Sequence, residues 1–210
     1  LYFREPESRA DQTRMMSIVT TGAETGYYVD VFRSRKEKGG DKMHDYFYHN
    51  LGQTLTLTAA DGSDLNLQST EELAFAGAHL YAYSYLYDKK VAATNKDVKA
   101  TFTIDMKDKD GDDIYMNLWM KGEPDREVFT ALAPMTEGLS RTPNMPYNIK
   151  EQPTLTFVAR QHGEAWNRPF VSIYEPSTKK EPSAIQSVSY FDAEGAGLED
   201  FAGICVKSKN

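Results

Sequence analysis

Six consecutive residues, His44-Asp45-Tyr46-Phe47-Tyr48-His49, combine two imidazoles, a carboxylate and three aromatic rings. A histidine beside a carboxylate titrates near neutral pH and can carry a proton. Histidine and carboxylate are also metal-ligating types. Strand geometry would place His44, Tyr46 and Tyr48 on one face and Asp45, Phe47 and His49 on the other. The two histidines then bind one ion together only if a bulge intervenes. The plainer expectation is structural, with His44 or Asp45 hydrogen-bonded to turn backbone. Polar aromatics on both faces nevertheless suggest a surface that meets something besides its own core.

Three other stretches carry chemistry-bearing side chains. Tyr81, Tyr83, Tyr85 and Tyr87 alternate along Leu80 to Tyr87. On a strand they would share one face, either as a platform on which sugar rings stack or as packing against a facing sheet. Trp166 and Arg168, in His162-Gly163-Glu164-Ala165-Trp166-Asn167-Arg168, could meet an acidic sugar by stacking and carboxylate pairing. The alternative is a tryptophan that plugs the end of a sandwich and an arginine paired with Glu164 or Glu175. Asp108, Asp110, Asp112 and Asp113 invite a calcium reading, but Gly111 falls too early for an EF-hand and no closing glutamate follows. An exposed hairpin tip is expected there. No nucleophile elbow, phosphate loop or cysteine zinc pattern is present.

The elements that must hold these residues have a period of two. Strands are expected at Met15 to Thr20, Tyr27 to Ser34, His44 to Asn50, Thr54 to Thr58 and Leu80 to Tyr87. Lys99 to Lys107 and Ile114 to Met120 follow, then Val128 to Ala133, Thr154 to Arg160, Pro169 to Tyr174, Ile185 to Phe191 and Ala202 to Lys207. Long helical periodicity is nearly absent. The expected fold is all-β, a mostly antiparallel two-layer β-sandwich with little helix. Residues 134–153 hold four of the nine prolines and suggest a boundary between a region 1–133 and a C-terminal β region 134–210 packed on it.

Composition narrows the function. With 24 Lys and Arg against 31 Asp and Glu, the 210-residue chain carries a formal charge of −7, which argues against sequence-independent nucleic-acid binding. A local basic cluster on an acidic protein can still hold an anionic glycan. No apolar run reaches membrane-span length. The single cysteine, Cys205, cannot form an internal disulfide and is expected as a small buried hydrophobe. The sequence starts at Leu1 without an initiator methionine, and no signal peptide is expected within it; both ends are expected to be cuts in a longer protein.

Two blocks carry a family resemblance. Tyr28-Val29-Asp30-Val31-Phe32-Arg33, the Gly39-Gly40 turn, His44-Asp45-Tyr46 and His49 form the first, and His162 to Ser177, with Arg168-Pro169-Phe170-Val171 and Glu175-Pro176, the second. Together they resemble the C-terminal β-sandwich region of heparinase II/III-like polysaccharide lyases. The resemblance implies a large parent enzyme whose N-terminal helical toroid, a partner domain of the same protein, meets β-sandwich layers across a glycan cleft. It implies cleavage of an acidic, uronate-containing polysaccharide by β-elimination and a periplasmic or extracellular location. It leaves room for a divalent metal in the parent, with no cofactor in this chain. The Gly-His-Gly-His type segment of the family has no counterpart here, so no catalytic residue is carried over and the chain alone is expected to be inactive. His44, His49, Tyr81, Tyr83, Tyr85, Trp166 and Arg168 remain as substrate-binding candidates lining the cleft. The alternative is a stand-alone carbohydrate-binding or structural β-sandwich module.

Overall fold

The computed structural model describes residues 1–75, 77–106, 111–136, 141, 151–192 and 201–209. The strands are β1 (Tyr2–Arg4), β2 (Asp11–Thr20), β3 (Gly26–Arg35), β4 (Met43–Asn50), β5 (Thr54–Ala59), β6 (Gln68–Ser69), β7 (Tyr87–Ala93), β8 (Val98–Ile104), β9 (Ile114–Met120), β10 (Arg126–Ala133), β11 (Thr154–His162), β12 (Ala165–Thr178), β13 (Ile185–Phe191) and β14 (Gly203–Ser208). They form a seven-stranded sheet, β1-β2-β3-β12-β9-β8-β5, a five-stranded sheet, β4-β11-β10-β7-β6, and the hairpin β13-β14. Every pairing is antiparallel. Strands on either side of residues 134–153 interleave in both sheets, since β12 lies between β3 and β9 and β11 between β4 and β10.

Apolar residues on both faces of the central strands build three cores. Phe170 and Tyr174 of β12 join Leu118 and Met120 of β9, Phe102 of β8, Tyr46 of β4 and Phe157 of β11 between the two sheets. Residues of opposite parity, Ile173 and Trp119, turn to the far side of the seven-stranded sheet and are covered by Ile185 and Val188 of the hairpin. Phe129 and Val158 turn outward from the five-stranded sheet and are covered by Leu73 and Leu86. The period of two thus yields four layers, because each face of each sheet has a cover. Burying one such large side chain contributes about 1.5–3 kcal/mol.

A polar cluster sits among these apolar side chains. Asp30 of β3 is fully buried. Its carboxylate accepts from Arg14 Nε (2.9 Å) and Nη2 (2.6 Å) and from the Tyr46 hydroxyl (2.6 Å). Having spent its proton on Asp30, Tyr46 Oη accepts from the Tyr174 hydroxyl. The network joins β2, β3 and β12 of one sheet to β4 of the other. Burial pushes the Tyr46 and Tyr174 hydroxyl pKa values up, and the Asp30 charge adds to the effect. Glu175 anchors the third layer, accepting from the amides of Ala184 (2.8 Å) and Ile185 (3.2 Å) and from the Ser183 hydroxyl.

Two expectations are corrected, and a third falls partly outside the described residues. Leu80 to Tyr87 is no strand, since Ala78–Tyr85 forms a 3-10 helix. None of its residues after the N-terminus is β-branched, and the Ser84 hydroxyl donates to Tyr81 O at 2.6 Å, a local bond that competes with a ladder. Strand structure begins only at Tyr87 and runs on to Ala93. Cys205 is exposed, because alternation along β14 turns Ile204 and Val206 to the core. Asp108 and Asp110 lie outside the described residues. Asp112 accepts from Lys180 N (2.9 Å) and Asp113 from Met106 N (3.2 Å), so both carboxylates hold backbone.

Candidate functional site

The outward face of β4 carries Asp45, Phe47 and His49, as alternation requires. The 3-10 helix lies over this face and encloses, with Ala133 and Pro134, an open cleft of about 420 Å³. Phe47 and His49 stack at 5.8 Å between ring centroids and 28° between planes. Tyr83 meets Phe47 edge-on at 5.1 Å and Phe75 edge-on at 5.0 Å. Tyr85 forms a wall of the cleft and Tyr81 stands beside it, their centroids 6.4 Å apart. Both rings are 58% exposed.

The polar base of the site is built on Arg160 of β11. Its guanidinium forks onto Asp45, Nε to Oδ1 at 2.7 Å and Nη2 to Oδ2 at 2.8 Å. It also reaches Glu72 at 3.3 Å. The Tyr83 hydroxyl donates to Asp45 Oδ2 at 2.9 Å. Burial, reinforced by the Asp45 charge, pushes the Tyr83 pKa up. This hydroxyl therefore keeps its proton and pins the helix to the sheet. His49 Nδ1 lies 2.9 Å from Thr156 Oγ1. One edge of its ring meets solvent, but the aromatic walls withdraw enough water to lower its pKa.

These groups suit ring stacking and neutral hydrogen bonding. Among the described residues none of the cleft-lining side chains is a cation, and His49 is uncharged at neutral pH. Among the described residues no three histidine, cysteine, aspartate or glutamate side chains converge as a metal site.

The cleft brings together His49, Tyr83 and Tyr85, with Tyr81 at its rim. The other candidates lie elsewhere. His44 is at the opposite end of β4, where its Nε2 meets Asp41 Oδ1 at 2.6 Å. Asp41 in turn accepts from Lys36 N at 2.6 Å, closing the turn in which Gly39 and Gly40 adopt φ of 91° and 74°. Trp166 is half-buried under the Arg35 guanidinium, 4.2 Å from its ring centroid. Arg168 donates to Pro124 O (3.3 Å) and His162 O (3.1 Å) and lies 3.7 Å from Glu164. Phe47, Leu86, Ala133 and Pro134 were not anticipated as lining. Phe47 carried a signal, since it shares a strand face with His49. Ala133 and Pro134 carried none, because only tertiary packing places them there.

No family model matches the chain. Over 192 residues, 90% of its length, it is 33% identical to an endo-acting ulvan lyase of Formosa agariphila. The matched segment is 22% of the length of that protein.

Proposed function

We propose that this chain is the β-sandwich part of a polysaccharide lyase polypeptide that cleaves a uronate-containing glycan of the ulvan kind by β-elimination. The observation that carries the proposal is the 33% identity with an endo-acting ulvan lyase along 90% of the chain. The two motif blocks refine the assignment to the C-terminal sandwich of a heparinase II/III-like enzyme, exported to the periplasm or beyond, with a helical toroid as the partner domain of the same protein. Asp30, Asp45 and Glu175 of those blocks are all engaged in holding layers together, which supports an architectural role.

β-Elimination needs a base for a weakly acidic carbon-bound proton and a group that neutralises the neighbouring carboxylate. Among the described residues the cleft offers no cation, its tyrosine at the base is held protonated, and its imidazole is a weakened base. The chemistry, and any divalent metal it uses, is therefore assigned to the rest of the polypeptide. The cleft is assigned to grip the glycan through its ring faces.

Replacing Tyr81 and Tyr85 together with alanine in the whole polypeptide tests this role. Stacking contacts contribute about 0.5–1.5 kcal/mol each, so losing both should raise KM for ulvan roughly 5–150-fold while kcat holds. A loss in kcat with KM unchanged would place the tyrosines in the chemistry and overturn the assignment. The exposed Tyr81–Tyr85 pair also favours a second reading, a carbohydrate-binding module. Calorimetric glycan binding that is lost when Tyr81 and Tyr85 are replaced by alanine, in a polypeptide that never cleaves glycan, would support it.

A further inference from the structure

The seven-stranded sheet ends in a strand that is only half paired. β1 covers Asp11 to Thr13 of β2. The pairing then extends one step, with Leu1 N donating to Arg14 O and Arg14 N donating to Leu1 O, both at 2.9 Å. Antiparallel alternation directs the backbone groups of Met16, Ile18 and Thr20 to the same side as those of Arg14, while Met15, Ser17 and Val19 bond toward β3. Among the described residues no strand pairs with that outward side of residues 16–20.

This open edge has none of the usual protection. Residues 15–20, Met-Met-Ser-Ile-Val-Thr, contain no charge and no proline, and Met16 and Ile18 are 59% and 69% exposed. Other edges are guarded: β6 is two residues long, β4 carries His44, Asp45 and His49, and β5 turns Leu57 inward. A bare, apolar edge of this kind is a template for strand addition.

We propose that the outward edge of Met16 to Thr20 is filled by an extended segment of the same polypeptide that lies N-terminal to residue 1. β1 runs antiparallel to β2 and reaches Arg14 at Leu1, so residues preceding Leu1 are aimed along Met16, Ile18 and Thr20 without any turn. The proposal rests on the reading that the chain belongs to a longer lyase polypeptide, in which the matched relative has most of its length outside the aligned segment. The added strand would continue an existing pairing rather than create a new one. It would also tie the sandwich to whatever precedes it through main-chain bonds.

Amide hydrogen exchange, measured on the 210-residue chain and on the full polypeptide, tests this. The amides of Met16, Ile18 and Thr20 should exchange at least about tenfold more slowly in the full polypeptide, while those of Met15, Ser17 and Val19 stay protected in both. Equally fast exchange of the three in both forms would overturn the proposal. So would protection in the isolated chain that grows with its concentration, since a second copy would then be the occupant. Ile18→Pro removes an outward N–H and spares the bonds to β3, so it should lower the melting temperature of the full polypeptide more than that of the isolated chain. An equal shift would count against strand addition. Glycan cleavage assayed on the same preparation separates the two ideas. Cleavage without protection sinks strand addition alone, and protection without cleavage sinks the lyase reading alone.

Discussion

Arg160 and Asp45 show how the cleft is held open. Arg160 is only 3% exposed, and truncating Asp45 to alanine leaves a buried guanidinium without its main partner. Breaking a buried pair from one side costs about 3–5 kcal/mol. For a domain of this size that is a fall in melting temperature of roughly 6–20 °C, readable by calorimetry. Tyr83→Phe removes one hydrogen bond to the same carboxylate and should cost only about 0.5–1.5 kcal/mol. His49 gives the site a pH dependence whose sign follows from its surroundings. Its folded pKa lies below the ordinary value of about 6.5, so the unfolded chain binds the proton more readily. Stability from this group is present above that pH and is lost as pH falls through it. Denaturant titrations of His49→Gln should show a shallower loss of stability on acidification than the parent chain. Identical slopes would mean that the cleft does not desolvate the ring.

At the level of elements, much of the fold was legible because alternation is a local signal. Ile114–Met120 and Ile185–Phe191 fall where the sequence predicts them, β3 is one residue longer than expected at each end and β4 one residue longer at its start. The failures have physical reasons. Tyr81 to Tyr87 alternates as a strand would, yet Tyr83 is claimed by Asp45 and Phe47, and residues 78–85 wind into a 3-10 helix. β1 and β6 are three and two residues long, too short to display a period. Of the site, the pairing of Phe47 with His49 followed from strand parity, whereas the meeting of β4 with the helix depends on contacts between residues more than thirty positions apart. The Asp30–Tyr46–Tyr174 network is the element-scale counterpart of the Arg160 pair. Tyr46→Phe removes the hydroxyl that links the two sheets and leaves Asp30 and Tyr174 each one bond short in a buried site. It should destabilise the chain by about 1–3 kcal/mol, as measured by urea unfolding. A change within about 0.5 kcal/mol would show that packing alone joins the sheets there.

The 210 residues as a whole carry a formal charge of −7, and the uronate-containing glycan of the proposed function is also negative. Long-range electrostatics therefore opposes association, and the described residues of the cleft supply no cation to reverse it. Affinity for the glycan should hold or rise as ionic strength approaches about 1 M, where the Debye length is near 3 Å. A steep loss of affinity with salt would point to a cationic surface away from the cleft. Four layers, two of them sheets that share strands from both halves of the chain, make a stiff body for presenting a shallow aromatic surface. Such a body contributes position and grip, and the chemistry is expected from the polypeptide around it.

The most direct measurement follows the formation of unsaturated uronate from ulvan by the isolated 210-residue chain and by the full polypeptide, side by side. The account predicts steady release by the full polypeptide and none by the isolated chain. Turnover by the isolated chain would contradict it, and so would a full polypeptide that leaves ulvan and every other uronate glycan intact.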